Sequence, residues 1–303
     1  MSDKLKKASN KNLQKANKEK NDEFYTQLND INNELKHYKE HFKGKVVFCN
    51  CDDPRESNFF RYFALNFEKL GLKKLITTHF EQNKPSYKLE IEHDLNGDGK
   101  IDDLDNYMTP LKQNGDFRSD EAIEILKTVD IVVTNPPFSL FREYIAQLIE
   151  YDKKFVILGN INAISYKEVF KQIKEDKMWL GNNTVRFFKQ PDGTLFETAR
   201  TFWFTNLDIK KRHEEFILYK SYSESEYPKY DNYDAIEVSQ AKNIPFDYTG
   251  TMGVPITFLD KYNPNQFEIV GQMATTKVDE FNHGYPYING KKIYARIIIK
   301  HKK

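Results

Sequence analysis

Cysteine is nearly absent: the 303 residues hold two, Cys49 and Cys51. A pair two apart inside an apolar stretch fits neither a zinc knuckle nor a disulfide framework, so the chain reads as a cytoplasmic protein of a reducing compartment. Glycine and proline are sparse, at 13 and 11. With 39% hydrophobic and 14% aromatic residues, that excludes collagen-like, low-complexity and wholly disordered classes. No apolar run approaches the roughly 18–20 residues that span a bilayer. The N-terminus offers Lys, Asn and Gln where a secretion signal needs an apolar segment. The seven histidines are scattered, with no His-x-x-x-His or His/Cys cluster, so no metal site is expected in catalysis. Excess charge of one sign is lacking too, with 46 basic residues against 45 acidic and a formal net charge of +1. The balance is local bookkeeping, however. Residues 1–20 carry seven Lys and two acids, and residues 291–303 carry six basic residues and no acid. These ends read equally as phosphate-seeking segments or as solvated tails.

The length suits one large domain or two modest ones. Residues 1–20 show no apolar periodicity and are expected to be a flexible basic tail. Phe24, Leu28, Ile31, Leu35, Tyr38 and Phe42 are spaced as in an amphipathic helix. Short apolar runs then alternate with helical patterns. Val46–Phe48, Leu75–Thr78, Ile131–Thr134 and Phe155–Leu158 read as buried strands. Helices are predicted to open at Ser57, Ser119, Ser139 and the Ser165-x-x-Glu168 capping box. Uncapped apolar strands alternating with amphipathic helices predict a doubly wound, Rossmann-like α/β domain over residues 21–180, its parallel sheet covered on both faces. The rhythm breaks after Gly181. Residues 181–303 are Tyr-rich, with hairpin signals at Gln190-Pro-Asp-Gly193 and Asn289-Gly290, and are read as a second, α+β module.

The sharpest signal is Asn135-Pro136-Pro137-Phe138 after the strand Ile131–Thr134. Each proline fixes φ near −65°, lacks an N–H and pushes the preceding residue to an extended conformation. The result is a rigid elbow at a carboxyl strand end, where open α/β sheets bind ligands. It offers the Asn135 side-chain oxygen and the Pro136 carbonyl as fixed acceptors beside the Phe138 ring. A planar exocyclic amine suits them: two N–H groups donate to two oxygens, the ring stacks on Phe, and the nitrogen lone pair is freed to attack an electrophile. The substrate is then the nucleophile, and no catalytic Ser, Cys or His is needed.

Two further segments sit where a nucleoside cofactor would lie. Asn50, Asp53 and Pro54 belong to the acidic turn after the first strand, which is not a Gly-x-Gly-x-x-Gly and suits a cationic tail such as that of S-adenosylmethionine. Gly115-Asp116-Phe117 precedes a helix, and an Asp–Phe pair can accept from an adenine amine and stack on its ring. A competing motif runs from Asp94 to Asp105, with oxygens at positions 1, 3, 5, 9 and 12 of a calcium loop and Gly at 6. Tyr87, Leu89 and Ile91 before it alternate like a strand where an EF-hand needs a helix, so an acidic surface excursion is expected. Phe187-Phe188 and Phe202-Trp203-Phe204 are expected to be core.

Asn-Pro-Pro-Phe is the signature of amino-methyltransferases, and the chain resembles the EcoRI-type adenine-specific DNA methyltransferases from about residue 20 to 270. The runs Gly115–Glu121, Asn135–Glu143, Lys154–Asn160, Met178–Gly181, Trp203–Leu207, Tyr227–Tyr233 and Met252–Phe258 carry the resemblance. It implies N6-methylation of adenine in duplex DNA from S-adenosylmethionine, by a monomer without membrane attachment, in a restriction-modification system or as an orphan methylase. Asn135, Pro136, Pro137 and Phe138 would form the catalytic elbow around an extruded base. Phe24, Tyr25 and Thr26 would lie near the methionine moiety, Asn50, Asp53 and Pro54 in the first cofactor motif, and Asp116 and Phe117 at the cofactor adenine. Ser57 stands where many relatives have Gly, and Glu81 is the nearest acid for the ribose. Residues 181–303 would recognise the target, with Arg186, Lys189, Arg200, Lys210, Lys211 and Arg212 as basic candidates. The motif alone also serves cytosine-N4, rRNA-base and protein-glutamine methylation, and a non-catalytic DNA- or calcium-binding protein on this fold is the remaining alternative.

Overall fold

The computed structural model describes residues 6–7, 25–51, 53–82, 85–189 and 193–302, with backbone alone at 6, 7, 199 and 200. Most of the expected basic tail, Phe24 and the Gln190–Asp192 turn therefore lie outside the described residues. In chain order the first elements are β1 (Lys6–Lys7), β2 (Tyr25–Thr26), α1 (Leu28–Leu35), α2 (Lys39–Phe42), β3 (Val46–Cys49), α3 (Asn58–Leu65), α4 (Phe67–Leu70) and β4 (Lys74–Thr78). There follow β5 (Tyr87–Ile91), β6 (Tyr107–Pro110), α5 (Asp120–Thr128), β7 (Ile131–Thr134), α6 (Phe141–Glu150), β8 (Lys154–Asn160) and α7 (Lys167–Lys174). The chain closes with β9 (Trp179–Lys189), β10 (Leu195–Thr205), β11 (Ile236–Glu237), β12 (Met252–Pro255), β13 (Phe267–Met273), β14 (Tyr287–Ile288), β15 (Lys291–Lys292) and β16 (Arg296–His301).

The four strands expected from apolar runs are β4, β3, β7 and β8, adjacent in that order and parallel. All four residues of β3 and of β7 are buried. The chain steps from β3 outward to β4, then returns to the other side of β3 as β7, so a topological switch point falls between β3 and β7. The sheet is nevertheless mixed rather than wholly parallel. β5 pairs antiparallel with β4, β6 with β5, and β10 with β8. With β9, β2 and β1 it has ten strands among the described residues. The Phe188, Trp203 and Phe204 side chains are fully buried, as expected of core residues, and Trp203 meets Phe59 edge-on at 6.0 Å.

Local signals were partly displaced. The expected helix over residues 22–42 is two helices, and Tyr25–Thr26 before them is a strand paired with Lys189 and Phe188 of β9. Ser57 and Ser119 cap their helices, accepting from the Phe59 and Ala122 N–H groups. Ser139 does not cap: Leu140 N–H donates to the Pro137 carbonyl, a 3₁₀ turn fills 138–140, and α6 starts only at Phe141. Ser165 does not cap either, because its hydroxyl turns back to the Asn162 carbonyl.

The chain divides into two compact units, residues 1–160 with 181–207, and residues 161–180 with 208–303. The division does not fall at residue 180, because β9 and β10 complete the first sheet. One tie is Glu34 of α1, a buried carboxylate that accepts from the Asn182 and Asn183 N–H groups, each at 2.8 Å, and from Tyr38. The second unit is built on a four-stranded sheet in the order β11-β12-β16-β13. Residues 291–302 are thus no solvated tail: β16 is an inner strand, with Ile297, Ile298 and Ile299 fully buried. β14 and β15 form a hairpin across Asn289-Gly290, whose φ angles of 50° and 73° give the left-handed pair a two-residue turn requires.

The Asp94–Asp105 segment lies in the β5–β6 connection, between antiparallel strands and not between helices. Its carboxylates order the backbone. Asp94 accepts from Gly97 and Gly99, and the buried Asp105 from Leu95, Asn96 and Asp102. Those N–H groups hold Asp105 below the usual carboxylate range, the Asp102 N–H foremost.

Candidate active site

Three loops leave the carboxyl ends of β3, β4 and β7. The Thr134 hydroxyl at the end of β7 donates to the Asn50 carbonyl just past β3, closing the switch point with a buried side-chain bond. Asn135 follows at 6% exposure, Pro136 is buried, and Pro137 and Phe138 are half-buried. Pro137 has φ −54° and ψ 123°, the extended elbow that two prolines impose. It sets Phe138 against Phe188, edge-on with ring centroids 6.1 Å apart.

Phe188 pairs with Thr26 in the sheet, and the Thr26 carbonyl accepts from Asn58 Nδ2 at 2.8 Å. Tyr25–Thr26, the start of α3 and the Phe138 loop therefore meet through one strand residue and one side-chain bond. Asp53 of the acidic turn is fixed from two sides: Oδ1 accepts from the Arg55 N–H at 2.9 Å and the Tyr87 hydroxyl at 2.8 Å. Burial, followed by Asp53, pushes the Tyr87 phenol well above its ordinary value, so it stays a donor. His79, just past β4, lies 3.0 Å from Glu81 and 3.9 Å from Asp53, which puts three titratable groups at one rim. Pro54 is buried and Ser57 is held by its own cap.

Gly115, between β6 and α5, brings a fourth loop to that rim. Its φ is +77°, and a Cβ there would run into the His79 carbonyl. Such an approach needs glycine. Asp116 follows, gripped by Arg118 at 2.9 Å through Nε and 2.7 Å through Nη2. The guanidinium beside it holds the Asp116 carboxyl below its ordinary value, so it is a fixed acceptor at neutral pH. Phe117 is buried, its ring edge-on to Tyr144 at 5.0 Å, and its carbonyl accepts from Gln147 Nε2 at 3.0 Å.

Tyr144 of α6 escaped the sequence reading. Its ring packs on Phe117 while its hydroxyl donates to Asn50 Oδ1, so one buried side chain ties two candidate cofactor segments together. Its only sequence signal is a tyrosine among Phe141, Ile145 and Leu148 on a buried helical face, where the hydroxyl requires a partner. His79, Tyr87 and Arg118 were likewise unmarked. The structure thus places Tyr25 and Thr26 beside the Phe138 loop, Asn50 and Asp53 at the switch point, and Asp116 and Phe117 on the β4 side.

The basic candidates outside this rim fare differently. Arg186 pairs with Glu197. Lys211 pairs with Asp260. Arg212 stacks 3.7 Å over the Trp179 ring and pairs with Asp176 and Asp208, a largely buried structural clamp and no free phosphate ligand. The Arg200 side chain lies outside the description. No helix among the described residues is long and apolar enough to cross a membrane.

The chain is 50% identical to Type II methyltransferase M.EcoRI of Escherichia coli over 325 aligned positions, covering 98% of each chain. It is 43% identical to Type II methyltransferase M.MgeORF184P of Mycoplasma genitalium and 42% identical to M.MpnI of Mycoplasma pneumoniae, covering at least 94% of every chain compared. No solved structure matches. The family described as "Adenine-specific methyltransferase EcoRI" matches residues 12–302. By that extent and those identities, the chain belongs to the EcoRI family of adenine-specific methyltransferases.

Proposed function

We propose that the chain transfers a methyl group from S-adenosylmethionine to the N6 amine of an adenine turned out of duplex DNA, in a sequence-specific manner. The switch-point bond between Thr134 and Asn50 carries this reading, because it sets the Asn-Pro-Pro-Phe elbow against the candidate cofactor turn. When bound, the cofactor supplies an electrophilic methyl on a sulfonium. The chain's own residues suit such a group. Asp53 and Asp116 are fixed carboxylates, and Phe117 stands beside Asp116 for a purine ring.

Asn135 and Pro136 would accept the two amine N–H groups and hold the nitrogen in line with the methyl. The new C–N bond forms from the nitrogen lone pair as the C–S bond breaks, and the surplus amine proton leaves to water. Catalysis is then mainly orientation. Phe138 would cover the base, and the two prolines would fix the acceptors before substrate arrives. Residues after 180, chiefly the second unit, would choose the sequence. The working form would be a cytoplasmic monomer.

Incubation with tritiated S-adenosylmethionine and unmethylated duplex DNA, followed by nucleoside analysis, tests the reading. Label in N6-methyladenine is expected. Label in N4-methylcytosine, rRNA or protein glutamine instead would overturn it.

A further inference from the structure

The C-terminal basic segment splits into two parts with opposite fates. Arg296 of β16 is buried and bonded to Glu237 of β11 through Nη2 at 2.6 Å and Nε at about 3 Å. Its remaining nitrogen, Nη1, donates to the Tyr294 and Ala295 carbonyls at 3.2 and 3.1 Å. A buried cation thus fixes the backbone of Tyr294, whose side chain is 87% exposed. The hairpin before it is equally braced. The Asp231 carboxylate accepts from the N–H groups of both turn residues, Asn289 at 3.0 Å and Gly290 at 2.7 Å, and Asn232 Nδ2 donates to the Tyr285 carbonyl. On this frame Lys291 and Lys292 are exposed, and Lys292 Nζ sits 3.2 Å over the Tyr285 ring. No Asp or Glu occurs from 281 to 303.

Folding does not explain why so braced a backbone holds the Tyr294 ring in water next to two exposed lysines. Burial would favour the ring inside. Beside the hairpin lies a groove of about 670 Å³, lined by Ser165, Asn162, Tyr285, Lys292, Tyr294 and Ala295. Asn162 is two residues past the carboxyl end of β8 in the chain. Cationic side chains with an amphipathic ring on a braced hairpin match a polyanion that also offers flat apolar bases, and a β-ribbon is a size the DNA major groove admits.

We propose that the β14–β15 hairpin is a DNA-reading element, in which Lys291 and Lys292 engage backbone phosphates and Tyr294 contacts a base. The assignment rests on the DNA-methylating reading above for its partner. It gives the second unit a specific contact surface and leaves the transfer chemistry unchanged.

The test measures duplex binding by the full chain across a salt series, using short fragments of unmethylated bacterial DNA, together with sequence-resolved mapping of N6-methyladenine. Replacing Lys291 and Lys292 together by Ala should lower affinity about tenfold or more, and lower the slope of log affinity against log salt by about 2. The double Arg variant should keep the slope. Tyr294→Ala should fold as the wild type and relax selectivity about tenfold at one position of the methylated site. Unchanged affinity, slope and site selection in these variants would overturn the proposal. If the wild type showed the lysine-dependent slope but transferred no methyl, the catalytic reading would fall while the hairpin's role stood.

Discussion

Tyr144→Phe isolates the bond that ties the two candidate cofactor segments. The substitution keeps the ring-edge contact with Phe117 at 5.0 Å and the burial of the side chain. It removes only the hydroxyl that donates to Asn50 Oδ1. Asn50 is itself buried, so its oxygen loses a partner without gaining bulk water. A buried acceptor stranded in this way costs about 1–3 kcal/mol. For a chain this large that lowers the melting temperature by roughly 2–4 °C per kcal/mol. If the Asn50 turn loosens by the same energy before the cofactor binds, affinity for S-adenosylmethionine falls about 5- to 150-fold. Thermal unfolding and calorimetric titration with S-adenosylmethionine read the two effects separately. Tyr144→Leu, which also removes the ring beside Phe117, should cost more in both. A Tyr144→Phe protein with wild-type melting and cofactor affinity within twofold would refute the linkage of Asn50 to Phe117 through this side chain.

Asn135→Ala should reduce methyl transfer at least about a thousandfold, because an orienting acceptor at the reacting nitrogen acts mainly in the transition state; titration should show S-adenosylmethionine affinity within a few-fold of wild type. Gly115→Ala forces a side chain onto the His79 carbonyl at a φ of +77°, costing about 1–2 kcal/mol for the backbone alone. Weaker cofactor binding and a lower urea midpoint are expected, with the Asn135 elbow intact. Arg296→Ala leaves the Glu237 carboxylate, to which the Tyr230 hydroxyl donates, as a buried charge without its cation, and about 3–5 kcal/mol should be lost from the second unit on urea unfolding. Asp116 has a depressed folded-state pKa, chiefly from Arg118, so its contribution is complete above the ordinary carboxylate value near 4 and is lost as pH falls below it. Asp116→Asn should flatten that acid limb of the stability curve; an unchanged limb would show the pairing contributes nothing.

The parallel centre of the fold was legible because its residues obey one rule. Val46–Cys49 and Ile131–Thr134 are buried on both faces, and a four-residue apolar run has few other uses in a chain this polar. The Asn135–Phe138 elbow was legible for a related reason, since two prolines restrict the backbone whatever surrounds them. β9 obeys no such rule. Its Gly181-Asn-Asn-Thr184 stretch is polar, and it joins the first sheet with the help of Glu34, a carboxylate that an exposed helix position would have explained as well. Tertiary partners decided that strand. The failed caps at Ser139 and Ser165 have a local origin instead: each serine had the right residue type, and a carbonyl within three residues made a 3₁₀ turn or took its hydroxyl first. Tyr144 was illegible because it works through Asn50 and Phe117, far away in sequence, whereas His79 and Arg118 hold near neighbours, Glu81 and Asp116, in pairings that no residue pattern marks.

The near-zero net charge shows why spatial placement outranks composition. Six basic residues after 290 look alike in a count, yet Arg296 supports the interior of a sheet while Lys291 and Lys292 stand in solvent. Deleting 291–303 to test DNA binding would therefore remove an inner strand along with the lysines, and lost binding would report unfolding. Point replacement at 291, 292 and 294 separates the two. If Lys291 and Lys292 are phosphate ligands, their removal lowers the salt slope by about one for each lysine, whereas unfolding would abolish binding at every salt concentration. The pattern across salt, more than the affinity at any one concentration, distinguishes a docking surface from a structural strand.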